Sequence, residues 1–503
     1  MRNFYTISLI ISTYIQVCAQ STVKLTKEQA QEDLNLLRFS LEYVHPRLYK
    51  YDDKKTVDNR FKKTYNSIHG EISGLDFLSL VSKLNASIKC GHLYTIPQYE
   101  LKKEVLEKKV MPFYIKIINN EFYLFNDCSE ENPIPNGSKI ISINGKSSDE
   151  IYKVMLKGIA TDGNIETRKK RLIERYFFYS FHGFDLYYHL HIDRSTTFNI
   201  EYQEYQSRIL KKKKLKGISI DERKEKLLES YNIDEGAWFK IPSPQFDLME
   251  EDNYGVLTIS RSFYDEEIDP NYDSRLGRAF KELKEKNISN LIIDLRNNEG
   301  GSEHQQIELI SYLYDQPFKL YQNIFLSHLD FRPLKHLIIE RDTSELLFNN
   351  DDEYMRKLTE NLWVNNYEYS RNLKLQTPKE NVFNGQLYVL MNGASFSSAA
   401  DLIAGIKKTT NAIFIGEESG GTFEGPTGGN SIVIQLPNSK IMVRISPNIQ
   451  IGYMYQKHPI GRGVLPNHKI NYKVEDLLGD RDLEMEKAIQ LILNEKQNEY
   501  SKQ

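Results

Sequence analysis

Asn290-Leu291-Ile292-Ile293-Asp294-Leu295-Arg296-Asn297-Asn298-Glu299-Gly300-Gly301 is the stretch whose reading decides the fold. Its first six residues are apolar on both faces, which predicts a central strand covered above and below. Its paired glycines leave backbone N–H groups open to close approach by a ligand oxygen. Working outward, Gly255-Val256-Leu257-Thr258-Ile259 reads as a second strand, and Leu276, Ala279, Phe280 and Leu283 mark the helix between the two. A helix through Ile307, Ile310 and Leu313 follows the glycines. After a long aromatic and charged insertion over about 318–378, Leu387-Tyr388-Val389-Leu390-Met391 is another buried strand. A helix begins at about Ala399, and Ala412-Ile413-Phe414-Ile415 is a strand ending in Gly416-Glu417. This alternation predicts an α/β domain with a mainly parallel sheet and right-handed crossovers.

In open α/β sheets the working residues gather where strands end and helices begin. One such end carries Gly300 and Gly301. The other carries Ser395, Ser397 and Ser398, with Ser397 at the start of a helix, where unpaired N–H groups and the dipole favour a developing negative charge. A serine nucleophile beside oxyanion donors needs this arrangement. Taken locally, the same serines also read as caps of the following helix.

The rest of the chain differs in character. Residues 24–90 read as helices: Leu34, Leu37, Leu41 and Val44 recur at helical spacing up to Pro46, and Ser73-Gly74-Leu75-Asp76 is a capping pattern before a second helix. Phe113–Ile117 and Phe122–Phe125 flank Asn119-Asn120, a hairpin signal. Ile134–Gly145 is a strand between turns, with a helix from about Ser148. Such a β-rich unit suits pairing of its sheet edge with an extended chain. His189 and His191 lie in a strand-like aromatic run, and 206–235 reads as a polar connector whose Lys211–Lys214 run is solvated surface.

Composition bounds the function. The 503 residues suit about three domains. Hydrophobic residues make up 40% and charged residues 27%, as in a globular chain. With 66 basic and 69 acidic side chains there is no basic field for nucleic acid. Arg2, an apolar stretch from Ile7 to Val17 and Val17-Cys18-Ala19 read as a signal peptide over 1–19, cleaved after Ala19. The run is too short and interrupted for a stable membrane span. Cys18 offers a lipoprotein alternative, against which Val17 is a poor preceding residue. The mature protein is expected in the periplasm or secreted. Cys90 and Cys128 are two scattered cysteines in an oxidising compartment, where a disulfide is one alternative. The scattered histidines form no metal-ligand spacing, and no motif specifies an oligomer.

Over nearly all of the mature chain the sequence resembles the tail-specific, carboxy-terminal processing and tricorn-core serine peptidases, and looks closest to exported Bacteroidota-type members. The resemblance rests on Leu291–Gly301, on Asn392-Gly393-Ala394-Ser395-Phe396-Ser397-Ser398-Ala399-Ala400-Asp401, on Gly416-Glu417-Glu418-Ser419-Gly420-Gly421, and on Leu436–Ser439 and Gly461–Pro466, which resemble the closing strands. It implies a crotonase-like (ClpP/crotonase) core over 236–480 and an N-terminal helical domain over 20–100. It also implies a PDZ-like β-rich domain with connector over 101–235 and a C-terminal helix over 481–503. The family's nucleophile precedes the Gly-Glu pair by nineteen residues and an acidic residue by four, which selects Ser397, before Gly416 and Asp401. The backbone N–H groups of Gly301 and Ser398 then match the oxyanion donors, and Ser395 is structural.

The resemblance also separates two branches. The lysine-base branch places its Lys where Thr422 stands, and no Lys lies between Gly416 and Asn438. The tricorn-like branch uses a His, and Gly91-His92-Leu93-Tyr94-Thr95 looks like that motif. The chain departs from the family at Cys90, Gly91, Ile460 and Gly461, so the group orienting His92 is not identified by position. Glu417, Glu418 and Glu424 are its candidates by closeness to the Gly-rich segment. The implied activity is peptide-bond hydrolysis through an acyl-enzyme, on a peptide or protein substrate, without metal or organic cofactor. The alternatives are a weak or inactive peptide-binding member of the fold and an esterase using the same chemistry.

Overall fold

The computed structural model describes residues 23–130, 132–175, 182–234, 241–262, 269–339 and 355–500, apart from 361, 367, 369 and the side chains of 498–500. The signal-peptide reading lies outside the described residues.

The sheet that carries the strand ends runs, in spatial order, Gln245–Met249, Tyr254–Thr258, Asn290–Asp294, Gln386–Met391, Ile413–Gly416 and His468–Lys469. The first pair is antiparallel and the rest are parallel. Three of the four parallel pairs are joined by connections that include a helix, Tyr272–Glu285, Glu303–Leu313 and Ser398–Thr409 in turn. Leu291, Ile292 and Ile293 are completely buried, as a doubly covered central strand requires. One apolar layer holds Leu291, Ile293, Phe280, Leu309 and Ile403. On the other face Ile292, Tyr388 and Leu390 meet Ala488 and Ile492 of the terminal helix Leu483–Tyr500.

The front of the chain is helical: Lys27–Val44, Lys54–Asn66 and Gly74–Ala86. Ser73 caps the last of these, accepting from the Asp76 N–H. The middle helix was not legible in sequence, since it buries only Val57 and Phe61. These helices share one core with Phe331, Leu334 and the hairpin Ile432–Gln435/Met442–Ile445. The short strand Tyr94–Ile96 adds to that hairpin, pairing Tyr94 with Arg444, Thr95 with Val443 and Ile96 with Met442. This pairing ties the front of the chain to its back.

The β-rich unit is a sheet of Tyr114–Ile118, Glu121–Phe125, Ser138–Ile143, Thr197–Gln203 and Lys211–Lys216. Asn119 and Asn120 both have positive φ, the left-handed conformation a tight hairpin turn demands. Three expectations are corrected here. The polar connector is ordered: its lysine run, solvated as expected, is an edge strand, followed by a helix over Ile220–Tyr231; charged lysines discourage further pairing on an open edge, although their strand propensity is low. The run with His189 and His191 is a helix, Gly183–His191, that buries Phe184 and Tyr188 at helical spacing in the core of the β-rich unit and Leu190 against the front helices. Leu436–Ser439 and Gly461–Pro466 form the turn and loop beside the last strands rather than strands themselves. The insertion contributes Tyr321–Leu326, Met355–Thr359 and Leu362–Asn365 to a sheet completed by Asn448–Gly452. Cys90 and Cys128 are both buried and free. No helix among the described residues is long and apolar enough to cross a membrane.

Burial pushes His45 down to about 4, His92 and His189 to about 3, and His182 well below its ordinary value. These rings are neutral when folded and take up protons when unfolded, so their contribution to stability is lost as pH falls below about 6.5. Asp162 and Asp401, raised by burial to about 6 and about 7, act in the opposite sense over the same window. Four histidines outweigh them, and Tm is expected to fall steadily from pH 7 to pH 5. A flat or rising Tm in calorimetry would contradict the neutral burial of these rings.

Candidate active site

The strand Gln386–Met391 runs into a turn whose backbone is locked before any catalytic side chain is considered. Ser395 Oγ donates to the Leu295 carbonyl at 2.8 Å and accepts from the Asn392 N–H at 3.1 Å. The Phe396 N–H donates to the Asn298 carbonyl at 3.0 Å, joining this turn to the glycine turn of the neighbouring strand. Between that anchored turn and the helix Ser398–Thr409, Ser397 is held at φ 53°, ψ −128°, a conformation essentially reserved for glycine. Its hydroxyl does not cap the helix Ser398–Thr409. Instead it lies 3.0 Å from His92 Nε2, 305 residues away in sequence.

His92 is buried, 6% exposed. Phe396 stacks on its ring at 4.7 Å between centroids. A Cβ added to Gly428 would lie 3.2–3.3 Å from Cε1, Nδ1 and Nε2 of the ring. The imidazole is therefore gripped on its faces. Burial, then the charges of Arg444 and Arg168, push it down to about 3, so it is the neutral form that faces Ser397. Its Nδ1 is buried without a partner. The three glutamates considered for that nitrogen are engaged elsewhere. Glu417 pairs with Arg171 and Lys170, Glu418 with Arg462 and the Gly463 N–H, and Glu424 with Lys50 and the Gly461 N–H. They are corrected as orienting groups: cations and backbone donors around the Gly-rich segment hold each carboxylate away from the ring.

Gly300 and Gly301 have φ +84° and +140°. A Cβ on Gly300 would lie 2.6 Å from the Ser398 N and 2.9 Å from the Ser397 Cβ, so only glycine lets the two turns meet. The Ser398 N–H opens its helix and has no intrahelical carbonyl to bond. The Gly301 N–H donates to Ser398 Oγ at 2.7 Å.

Sequence reasoning missed the support behind these groups. Arg168, from the helix Glu166–Glu174 of the β-rich unit, makes a two-pronged pair with Glu299 at 2.5 and 2.7 Å, and Arg175 pairs with the same carboxylate. Burial opposes its charge, but these two cations hold Glu299 below the ordinary carboxylate range. The Arg168 guanidinium also lies 4.0 Å from the centre of the Phe396 ring. One side chain thus braces the residue before the glycines and the residue before Ser397. Nothing local in the sequence marks it. Asp162, buried, accepts from the Gly91 N–H at 2.6 Å. Asp401 accepts from the Tyr321 hydroxyl at 2.8 Å, and the Thr422 hydroxyl donates to the Gly425 carbonyl at 3.3 Å. Asp273, His304 and Glu308 bring potential ligand atoms within 4.8 Å of one another, but Arg371 and Lys379 already neutralise Glu308 at 3.0 and 2.6 Å.

The profile of peptidase family S41 matches residues 253–442, the segment that holds both turns. Over that segment the chain is similar to this family of serine peptidases. No curated protein matches the sequence. Among solved structures, mature CPAF complexed with lactacystin superimposes with a TM-score of 0.61 at 14% identity, covering 93% of this chain and 98% of that one. Mature CPAF gives 0.56 at 14% identity, over 90% and 94%. A putative peptidase from Parabacteroides merdae gives 0.47 at 13% identity, over 93% and 97%. At 14% identity the likeness to the two CPAF structures is one of fold.

Two predictions follow from this packing. Gly428→Ala should displace the His92 ring and lower activity about 100-fold with little change in Tm; unchanged activity would show that the ring face is not held there. In histidine-labelled protein the His92 ring should stay neutral in NMR from pH 8 to pH 5, and a midpoint near 6.5 would contradict its burial.

Proposed function

We propose that this chain is an exported serine peptidase in which His92 takes the proton of Ser397 as its hydroxyl attacks a peptide carbonyl. The observation that carries the reading is the 3.0 Å contact between His92 Nε2 and Ser397 Oγ, made by a neutral ring. Attack produces a tetrahedral oxyanion, for which the N–H groups of Ser398 and Gly301 are the donors. Collapse expels the amine, to which the imidazolium returns its proton. Water, deprotonated by the same ring, then releases the acyl group.

One adjustment is required. Because the Gly301 N–H is engaged by Ser398 Oγ, the Ser398 side chain must rotate to free that donor when substrate binds. That engagement, with the unpartnered Nδ1 of His92, supports the second reading, a weakly active or peptide-binding member of the fold. The proposal extends to the architecture: a crotonase-like core over 236–480, a helical front over 20–100, and a PDZ-like unit over 101–235 that suits substrate tails. It also includes export by cleavage after Ala19.

A fluorophosphonate probe separates these readings. It should label the wild type, fail on Ser397→Ala, and label His92→Ala at least 1,000-fold more slowly at matched Tm. Absence of wild-type labelling would favour the binding protein, and turnover of esters but not of a peptide library would favour an esterase. Thr422→Ala should stay within about threefold of wild type, since its hydroxyl serves a turn. Ser398→Ala, which removes the acceptor from the Gly301 N–H, should leave kcat equal to or above wild type; a 100-fold loss would mean that the hydroxyl itself contributes.

A further inference from the structure

We propose that Asp162 is the positioning residue for the His92 base, holding it through the backbone of the preceding residue in place of an acid on the imidazole. This rests on the reading of His92 as the base. The ring nitrogen remote from Ser397 has no partner, and Glu417, Glu418 and Glu424 are committed elsewhere. The faces of the ring are bounded by Phe396 and Gly428, but neither contact stops the ring from sliding along its own plane. That freedom is removed only if the main chain entering His92 is fixed.

The loop that fixes it comes from the β-rich unit. Asp162 Oδ1 accepts from the Gly91 N–H at 2.6 Å, and the next residue, Gly163, donates its N–H to the Lys89 carbonyl at 2.9 Å. The two bonds clasp the backbone on either side of Cys90, where Lys89 itself has a positive φ of 62°. The Asn164 N–H donates to the Gly461 carbonyl at 2.9 Å and anchors the same loop on its far side. The fit is close. A Cβ on Gly91 would lie 3.2 Å from the Asp162 N and 2.8 Å from the Phe396 ring, and one on Gly163 would lie 2.3 Å from the Gly461 carbonyl oxygen.

The carboxylate is 4% exposed, and its second oxygen, Oδ2, has no partner. Burying a carboxylate for one backbone bond is a poor way to stabilise a fold, since its desolvation outweighs a single hydrogen bond. Its value lies in strength and direction: a charged acceptor makes a shorter, stiffer bond to an N–H than a neutral one does. A displacement of about 1 Å at a catalytic group costs on the order of 100-fold in rate, so stiffness at Gly91 is transmitted directly to Nε2.

The test uses the full chain with Asp162→Ala and Asp162→Asn, the second keeping an acceptor oxygen at the same place. In hydrolysis of a reporter peptide, Asp162→Ala should lose 30- to 100-fold in kcat with KM within threefold, and Asp162→Asn should recover to within fivefold of wild type. Should the alanine variant fail to fold, Asp162→Ser, too short to reach the Gly91 N–H, gives the same comparison. The His92 ring resonances supply a readout that needs no turnover: sharp in wild type and Asp162→Asn, broadened or split in Asp162→Ala or Asp162→Ser. Folded alanine or serine variants with wild-type kcat and sharp ring resonances would overturn the proposal, as would an asparagine variant as defective as alanine. Wild-type protein that the fluorophosphonate does not label refutes the base assignment instead, and the ring resonances then still decide whether Asp162 orders the ring.

Discussion

Phe396 is the point at which three remote parts of the chain are forced into register. Its ring is covered on one side by the Arg168 guanidinium and stacks with His92, while its backbone N–H binds the Asn298 carbonyl. The residue after it is Ser397. A rigid ring in a close-packed interior passes displacement on rather than absorbing it. His92, Ser397 and the glycine turn therefore have one shared reference, set by an aromatic side chain.

Around this reference the molecule accepts local strain to bring backbone close to backbone. A non-glycine residue at φ 53°, ψ −128° costs on the order of 1–3 kcal/mol. It persists because Ser395 and the bond from the Phe396 N–H to Asn298 fix the turn before it, and the helix Ser398–Thr409 begins directly after it. The return is that the Ser397 hydroxyl is turned away from its own helix, where it would act as a cap, and toward an imidazole. The two glycine positions, 300 and 428, are the other half of the arrangement, since a methyl group at either would occupy space taken by the facing turn or the ring.

The β-rich unit contributes more to this centre than its place in the chain suggests. The segment 162–171 touches the His92 approach through Asp162, the glycine turn through Arg168 and Glu299, and the Gly-rich segment through Thr167 with the Glu418 carbonyl and Arg171 with Glu417. Its Arg168 and Arg171 are paired with Glu299 and Glu417 in a low-dielectric setting, where breaking one partner leaves the other exposed to the full desolvation cost. The segment thus behaves as a strut across the turns of the candidate site.

Strands such as Asn290–Asp294 and Gln386–Met391 were legible because double-sided burial leaves an unbroken apolar run, and the Asn119-Asn120 hairpin because two consecutive left-handed residues leave few alternatives. The lysine strand and the helix ending at His191 were not legible, because neighbouring strands and a covering core decided them against local propensity. At the site, sequence alone determined which residues are candidates: glycines at one strand end, serines at the next, and a histidine after a helix, read together with the spacing of a known family. Only tertiary structure decided that His92 reaches Ser397, that its far nitrogen is unpartnered, and that Asp162 and Arg168 stand behind it. The reason is physical. Local pattern is written by which face each residue buries, whereas contacts across 71 or 305 positions depend on how finished elements pack, and no neighbouring residue records that.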